Sequence, residues 1–315
     1  MSKLKKSIYF ENLNLSSPQL AVIKRKYKIT DDFKSCDFGI FVDPLNYPKK
    51  ATGVKILYLH EPEPVRPDLY TKKNLGKYDY VITISKNRAN RIGADEVIPQ
   101  PVELPKYKIN NSKRIKKVVM VNEHKFSASP RSMYGLRRKL IIECEKRAIP
   151  LDVYGKQWRE GYKLEFIRRM HALRIQFKAF RPISLKEVFS YSFHKYQRTL
   201  GLTESADCEE LLQYQMSIVI ENDLDYVSEK IWKSLYAGSI PIYVGPINEL
   251  ETEIQSAIIE CEPSINSIVN ILLNSTEKEL VDKRKNGKKI IKNMKLIKFP
   301  DLDPTNKLLD FIDRL

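Results

Sequence analysis

The sequence has few cysteines and no long apolar run. Its four cysteines lie far apart and form no C-x-x-C pair, which argues against a zinc site of closely spaced thiols and against a disulfide framework. Isolated, buried thiols in a reducing compartment are expected instead. The N-terminal MSKLKKSIYFENLNLSS is too polar for a signal peptide, and no apolar stretch is long enough to cross a membrane. These absences predict a cytoplasmic protein.

What the chain has in excess is positive charge. Lys+Arg 55 against Asp+Glu 39 gives a formal net charge of +16 over 315 residues, and a hydrophobic content of 42% indicates a folded protein. An anionic partner is therefore expected: nucleic acid, an anionic membrane surface and a phosphorylated small molecule all have the right sign. The charge is spread along the chain without a helix-turn-helix, RNP or zinc-finger pattern, which disfavours specific nucleic-acid binding.

The first third of the chain consists of short apolar runs separated by polar loops. Runs rich in Val, Ile, Tyr and Phe predict strands over residues 38–43, 54–60 and 78–85. None alternates strictly between apolar and polar residues, so each is expected to be buried on both faces of a parallel sheet. A proline-rich, then basic, stretch near residues 100–115 predicts the end of an N-terminal domain over 1–113.

Residues 114–298 again alternate strand-like and helical stretches; within them, the long basic stretch 160–200 is compatible with either helix or irregular structure. Alternation in both halves predicts an α/β protein of two βα-type domains, with a tail over 299–315 that packs back on the N-terminal domain. Predicted strands are 116–122, 151–155, 217–221, 240–245 and 254–261; predicted helices are 131–148, 208–215, 228–238, 264–275 and 276–295.

Residues 220–245, IENDLDYVSEKIWKSLYAGSIPIYVG, place a cluster of polar residues between two apolar runs. In parallel sheets, ligands bind beyond the carboxyl ends of strands, where the next helix begins. Ser228 is predicted as the N-cap of that helix, and Gly238 as its end. Lys230 puts a cation in the first turn, where the helix dipole disfavours it unless an anion such as a pyrophosphate binds there.

The same run resembles the donor-site motif of the α-1,3-fucosyltransferases, glycosyltransferase family 10. The family pattern is Glu-Asn, then Tyr-Val-Thr-Glu-Lys, then Ala-Gly-Thr-x-Pro and a later Gly. Residues 221–222, 226–230, 237–241 and 245 match it, with Ser at both Thr positions. Weaker similarities are Arg131 ahead of a strand that ends in Tyr154 and Gly155, and the PEPVRP loop at residues 62–67.

The resemblance implies a GT-B fold, in which two Rossmann-like domains face each other across a cleft. The N-terminal domain would bind the acceptor and the C-terminal domain the nucleotide sugar. The implied reaction is inverting transfer of L-fucose from GDP-β-L-fucose to a hydroxyl group of a glycan or glycolipid acceptor. No cofactor and no metal are implied. Of the two Asp-Leu-Asp sequences, residues 223–225 are interpreted as a loop in the variable part of the motif, and residues 301–303, before Pro304, are expected to be exposed.

The resemblance also implies roles for individual residues. In the N-terminal domain Glu63 is the general base, with Glu61 as the runner-up; Glu61 and Arg66 are expected to contact the acceptor. In the C-terminal domain Arg131 and Lys230 would clamp the diphosphate. Arg137 and Arg138, further along the helix of Arg131, are expected to face solvent or the cleft wall.

The remaining donor residues have open alternatives. Glu221 and Asn222 would hydrogen-bond either ribose or fucose, and Tyr226 would pack on guanine or on fucose. Glu229 is either a catalytic carboxylate beneath the fucose or a residue that orients Lys230. The complete expected donor set is Arg131, Tyr154, Gly155, Glu221, Asn222, Tyr226, Ser228 and Lys230.

Other functions remain open at the level of sequence. The same fold would serve another nucleotide sugar in surface-polysaccharide, glycolipid or glycoprotein assembly, or would bind the donor without turnover. A basic nucleic-acid-binding protein is the alternative of a different class. The lysine-rich helix predicted over 276–295 is either an ordinary solvated surface or a contact with an anionic membrane, which would make the protein membrane-peripheral.

Overall fold

The computed structural model describes residues 5–13, 17–47, 53–99, 114, 116–158, 162–189, 196, 199–201, 209–296 and 304–315. The chain divides into two compact units. Unit 1 comprises Met1–Pro101 together with Phe299–Leu315, and unit 2 comprises Val102–Lys298. The predicted domain boundary at 113/114 lies beside residues 100–113, which are outside the described residues.

Twelve strands and eleven α-helices are seen in the described residues. The strands are β1 Ser7–Glu11, β2 Lys28–Ile29, β3 Phe38–Val42, β4 Val54–Leu59, β5 Tyr80–Thr83, β6 Glu96–Val97, β7 Lys116–Val121, β8 Asp152–Tyr154, β9 Thr199–Gly201, β10 Tyr214–Ile220, β11 Ile240–Val244 and β12 Ile259–Glu260. The helices are α1 Ser17–Lys26, α2 Lys72–Leu75, α3 Lys86–Ile92, α4 Tyr134–Lys146, α5 Tyr162–Lys178, α6 Leu185–Phe189, α7 Lys230–Ala237, α8 Thr252–Ser256, α9 Ile265–Asn274, α10 Glu277–Leu296 and α11 Pro304–Asp313.

Unit 1 is built on a six-stranded sheet in the order β2-β1-β3-β4-β5-β6. All of its strand pairs are parallel. Alternate residues of β3 and β4 enter different cores: Ile40 and Ile56 pack in one, Phe41 and Leu57 in the other. Because both faces of these strands are covered, they read in the sequence as unbroken apolar runs.

Helix α11 belongs to unit 1 although it follows unit 2 in the chain. Its Leu308, Leu309, Phe311 and Ile312 are buried in the same core as strands β3 and β4. Tyr27, just after α1, donates its hydroxyl hydrogen to Asp313. The core of unit 1 is therefore assembled from both ends of the chain.

Unit 2 is a second six-stranded parallel sheet, in the order β12-β11-β10-β7-β8-β9. The central strands β10 and β11 are almost wholly buried. Helices α4, α9 and α10 contribute to the larger core, for example through Leu140, Ile268 and Leu280. Two parallel α/β units of this kind are Rossmann-like, as the alternation of strands and helices predicts.

Two predicted elements are wrong. Residues 208–215 are not an α-helix: Glu209–Gln213 form a 3-10 turn and β10 already begins at Tyr214, whose hydroxyl donates to Asp152 at 2.7 Å across the sheet. The strand predicted over 254–261 is mostly helix α8, followed by the short strand β12. The Gln255 amide fixes that turn by donating to the carbonyls of Ile247 and Leu250.

Within the described ranges, no helix is both long enough and apolar enough to span a bilayer. Three cysteines, Cys36, Cys144 and Cys261, are buried free thiols, while Cys208 lies outside the described residues. The second Asp-Leu-Asp sequence, residues 301–303, lies outside them as well.

Candidate functional site

The polar cluster of the 220–245 segment lies at the carboxyl end of β10. Glu221 directly follows that strand and is fully buried, and its Oε1 accepts the backbone N–H of Ser228 at 2.9 Å. Burial raises the pKa of this carboxyl, and the nearby Lys230 ammonium opposes the rise. One carboxylate thus connects the end of the strand to the start of helix α7.

Lys230 is the first residue of α7. Its Nζ donates to Ser228 Oγ at 3.1 Å, and burial lowers the pKa of the ammonium while Glu221 raises it. Ser228 is not the N-cap that the sequence predicts: the cap position is Glu229, which already has helical φ −61 and ψ −13 and makes no side-chain cap bond. The Ser228 hydroxyl still accepts the Lys230 N–H, at 3.4 Å, because the chain turns one residue earlier than a capped entry requires.

The other donor candidates of this segment differ in exposure. Asn222 is half-buried and its Oδ1 accepts Arg137 Nη2 at 2.8 Å. Tyr226 is buried, whereas Glu229 is exposed. The structure therefore brings Glu221, Ser228 and Lys230 into direct contact, and leaves Glu229 on the surface beside them.

Arg131 contacts two carboxylates in the loop after β10. Its Nε and Nη2 donate to Asp223 at 3.1 and 2.7 Å, and Nη2 lies 2.9 Å from Asp225. Both aspartates are buried, while the arginine side chain is 30% exposed. The interpretation of residues 223–225 as a mere loop is therefore incomplete: these aspartates hold Arg131.

Arg137 and Arg138 are buried, which corrects the prediction that they face solvent or a cleft wall. Arg137 donates to the Ile220 carbonyl and to Asn222, at the end of β10. Arg138 donates to the carbonyls of Lys125 and Glu187. Arg137 thus contacts the last residue of β10, and Arg138 connects the loop after β7 to helix α6; both roles depend on contacts that are distant in sequence.

Strands β7 and β8 end beside each other. At the end of β7 Asn122 is 4% exposed, and its side-chain amide nitrogen and oxygen have no hydrogen-bond partner among the described residues. Gly155, just after β8, has φ +143, and a Cβ there would lie 1.9 Å from the Asn122 carbonyl oxygen. Tyr154 packs edge-to-face on Tyr214, with ring centroids 6.5 Å apart. Gly155 thus allows the two strand ends to approach, and Tyr154 contributes to the core.

His124 follows in the loop after β7. Its ring stacks on Trp158 at a centroid distance of 4.5 Å and an interplanar angle of 8°. Burial lowers its pKa to about 3, with the Arg138 charge adding to the effect. The imidazole is therefore neutral at physiological pH, and its Nδ1 lies 3.1 Å from the Gln157 carbonyl oxygen.

The acceptor-side candidates are in unit 1, after β4. Glu63 is buried, and its Oε2 lies 2.7 Å from Arg91 Nη1 on helix α3. Glu61 is half-buried. Arg66 donates to the carbonyls of Asp43 and Pro44, each at 2.7 Å, and forms an ion pair with Asp68. The loop after β4 is therefore held by arginines, and Arg66 joins it to the end of β3.

Asp43, which the sequence reasoning did not select, lies among these residues. It follows β3 with φ +39, and its carboxylate accepts the backbone N–H groups of His60 at 3.2 Å and Glu61 at 3.0 Å. Burial raises its pKa to about 6, with the Glu61 charge adding to the rise. Burial lowers the pKa of the His60 imidazole to about 4. An aspartate directly after a buried strand is the only signal that the sequence offers for it.

In the part of the chain that the structure describes, no three His, Cys, Asp or Glu side chains are grouped so as to hold a metal ion. The histidine at 194 lies outside that part.

The fold agrees with that of GT-B glycosyltransferases. The Anabaena protein HepE (Alr3699), solved in complex with UDP and glucose, has a TM-score of 0.57 at 10% identity, over 99% of this chain and 100% of that chain. TarM has a TM-score of 0.53 at 13% identity, over 94% of this chain and 57% of that chain. These neighbours define the class: an α/β protein of two Rossmann-like units with a GT-B fold, as predicted.

A third similar structure is that of an α1,3-fucosyltransferase, with a TM-score of 0.48 at 14% identity, over 90% of this chain and 82% of that chain. No protein-family model matches the sequence. No curated protein matches it either.

Proposed function

We propose that the protein is an inverting glycosyltransferase that transfers L-fucose from GDP-β-L-fucose to a hydroxyl of a glycan or glycolipid acceptor. One observation carries the proposal. The segment that resembles the family 10 donor motif lies at the carboxyl end of a central parallel strand, where the buried Glu221 and the half-buried Lys230 both hydrogen-bond to Ser228 at the start of α7. Strand ends of this kind are where open α/β sheets bind nucleotides.

Lys230 and the N-terminus of α7 are our candidates for the diphosphate. The Lys230 ammonium lies where the helix dipole is positive, an arrangement that a bound dianion stabilises. Glu221 and Asn222 then contact sugar hydroxyls, and Tyr226 packs on the base or the fucose. The amide of Asn122, buried and without a partner among the described residues, adds a donor and an acceptor at the same edge of the sheet.

Arg131 is assigned a positioning role in this proposal. Its guanidinium forms ion pairs with the buried Asp223 and Asp225, in the loop that follows β10. These ion pairs hold the loop that contains Asn222 and Tyr226 in place. The direct diphosphate contact that the resemblance implies for Arg131 stays a prediction, and the Arg131 experiment below separates the two roles.

The transfer itself needs a base, a stabilised sugar cation and a neutralised leaving group. The acceptor oxygen forms a bond to the anomeric carbon as the bond from that carbon to the diphosphate oxygen breaks, and GDP leaves with the electron pair. The acceptor proton passes to Glu63, our choice of general base. Glu61 and Arg66 are proposed to orient the acceptor, and Glu229 to stabilise positive charge on the fucose or to orient Lys230.

Thermal shifts with a panel of ligands test the donor. The panel is GDP, GDP-fucose, GDP-mannose, UDP, dTDP and a short RNA. Stabilisation by GDP and GDP-fucose alone is expected; a ligand at a hundred times its dissociation constant adds about 2.7 kcal/mol. UDP is included because HepE was solved with it. A response to UDP or dTDP would replace fucose by another sugar, and a response to RNA alone would overturn the enzyme.

Two lysine variants give the panel a matched control. Lys230→Met is expected to abolish the GDP shift. Lys278→Met changes an exposed lysine of α10 in the same unit and is expected to keep it. Equal GDP shifts in the two variants would contradict the assignment of the diphosphate to Lys230. A cytoplasmic location and contact with an anionic membrane also belong to this proposal.

A further inference from the structure

Helix α5 of unit 2 buries its polar residues. Glu165, Arg169 and Gln176 lie on one helical face and are all buried. Arg169 pairs with Glu165 and donates to the Val188 carbonyl on α6, while the Gln176 amide donates to the Pro182 carbonyl at 2.8 Å. The hydrogen bonds that usually point to solvent therefore hold α5 against its own turn and helix α6.

Apolar side chains lie on the outside of the same helix. Phe166, Met170, Leu173 and Phe177 follow the i, i+4, i+7, i+11 spacing of one helical stripe. Phe166 is 47% and Phe177 71% exposed. Met170 and Leu173 are half-buried, so the exposed part of the stripe is formed by its two phenylalanines, which a surface helix of a globular protein would normally turn inward.

The turn after α5 continues this apolar surface. Phe180 has φ +51 and is 94% exposed. It occupies the left-handed position at the end of a helix that glycine normally takes: the N–H of Arg181 bonds the Gln176 carbonyl at 3.2 Å around it. Phe180 thus has a backbone conformation that non-glycine residues rarely adopt, and its aromatic ring is exposed to solvent. Ile183 and Leu185 are exposed beside it in sequence.

The charge on this segment has one sign. Lys163, Arg174, Lys178 and Lys186 are exposed. Both acidic residues of 162–189 are turned inward, since Glu165 pairs with Arg169 and Glu187 is half-buried with its Oε2 accepting the Gly135 N–H at 3.2 Å. On α5 the helical spacing places Lys163, Arg174 and Lys178 along one edge of the apolar stripe.

We propose that residues 162–189, the α5–α6 surface, dock the protein on an anionic lipid bilayer. Exposed Phe, Ile and Leu side chains enter the interface between headgroups and acyl chains, and the flanking lysines and arginines contact the lipid phosphates. The combination of exposed aromatic residues, basic residues beside them and no exposed acid within 162–189 matches this partner. The proposal deepens the membrane contact that is part of the proposed function; it rests on exposure and charge, and the vesicle experiment tests it separately from the transfer reaction.

The lysine-rich helix α10 does not have these properties. Its apolar residues Leu280 and Ile291 are buried, and its exposed face carries Glu277, Glu279 and Asp282 as well as lysines. Val281 of this helix is 49% exposed, but the helix contains no aromatic residue, and its exposed face carries charges of both signs.

Vesicle co-sedimentation of the full chain tests the proposal. The vesicles are phosphatidylcholine alone and phosphatidylcholine mixed with phosphatidylglycerol. We expect binding to the mixed vesicles only, weakened by salt. Phe177→Ser with Phe180→Gly is expected to lower the binding about tenfold or more. Phe180→Gly relieves the left-handed strain, so this double variant keeps the fold, which far-UV circular dichroism and the urea midpoint check.

Matched control variants distinguish binding through the α5–α6 surface from non-specific binding to vesicles. Leu273→Ser, at an exposed leucine of α9, is expected to leave binding unchanged. Lys178→Glu with Lys186→Glu is expected to lower it, and Lys288→Glu with Lys289→Glu on α10 to lower it much less. Equal loss from the two lysine pairs would overturn the location. If the Phe177→Ser, Phe180→Gly variant bound vesicles as well as the parent, the lipid partner would be wrong. It would also be wrong if the parent bound no vesicles and instead formed a concentration-dependent dimer that the variant does not form.

Discussion

Asp43 in unit 1 gives the protein a titratable group with a defined effect of pH. Its pKa of about 6 lies above the ordinary value of 3.8 because burial disfavours the carboxylate. The folded state therefore binds this proton more tightly than the unfolded state. The resulting stabilisation is complete below about pH 4 and is lost as pH rises through 6.

We expect Asp43→Asn to remove this dependence. The free energy of unfolding of the parent should fall, relative to the variant, by on the order of 2 kcal/mol between pH 4 and pH 7. Urea titrations at several pH values measure the difference. Asp31→Asn, at an exposed carboxylate of the same unit, is the control. A difference between parent and Asp43→Asn that does not change with pH would contradict the argument.

Arg131 allows a second test with a single residue. Arg131→Met removes the ion pairs that Arg131 makes with the buried Asp223 and Asp225, and should lower the free energy of unfolding by about 3 kcal/mol. Adding Asp223→Asn should restore part of the loss, and urea unfolding measures both. A variant that keeps its stability and loses only the GDP shift would support the diphosphate contact instead.

The site residues that the sequence predicts correctly are those whose contacts are with residues close to them in the sequence. Glu221, Ser228 and Lys230 follow one strand within a single segment, so their meeting follows from the order of strand and helix. Arg131 and Asp223 are 92 residues apart and meet only because β7 and β10 are neighbours in the sheet. No local pattern carries that information.

At the scale of elements, the predictable strands are those buried on both faces. The apolar runs of β3, β4, β7 and β11 are short and continuous, which is what parallel strands require. For the basic stretch 160–200, which contains α5, the sequence is compatible with either helix or irregular structure, because Phe166 and Phe177 are exposed while Glu165 and Arg169 are buried. Burial depends on the packing of the whole molecule. A prediction that assumes buried apolar and exposed polar residues therefore does not identify helix α5.

The approach of β7 and β8 yields a test by substitution. In Gly155→Ala the added Cβ would meet the Asn122 carbonyl at 1.9 Å, and the residue keeps a φ of +143 that alanine disfavours. We expect a loss of about 3 kcal/mol or more in unfolding free energy. Gly93→Ala is the matched control, with φ +69 and open space around its Cβ, and should lose only about 1 kcal/mol. Equal losses in urea unfolding would show that φ alone matters.

For the whole molecule, the two tryptophans provide a probe of one unit. Trp158 and Trp232 are the only tryptophans in the chain, and both belong to unit 2. Leu309→Ala removes a buried side chain of α11 from the core of unit 1, at a cost of about 2–5 kcal/mol. We expect its unfolding by far-UV circular dichroism to move to lower urea while the tryptophan emission transition stays in place.

Ile268→Ala in α9 is the complementary variant, since Ile268 is buried in the core of unit 2. It should move the tryptophan transition. If Leu309→Ala moved both probes together, the two units would unfold as a single cooperative block, contrary to their division into separate cores.

Because α11 belongs to unit 1, it affects the order in which the two units can fold during translation. Residues 102–298 leave the exit tunnel before residues 304–315 are released, so unit 2 has its whole sequence available first. Unit 1 starts earlier but lacks Leu308, Leu309, Phe311 and Ile312 until residues 304–315 have been synthesised. Synthesis of unit 1 therefore begins before that of unit 2 and is completed after it. The nascent strands of unit 1 lack the part of their core that α11 supplies while the whole of unit 2 is synthesised.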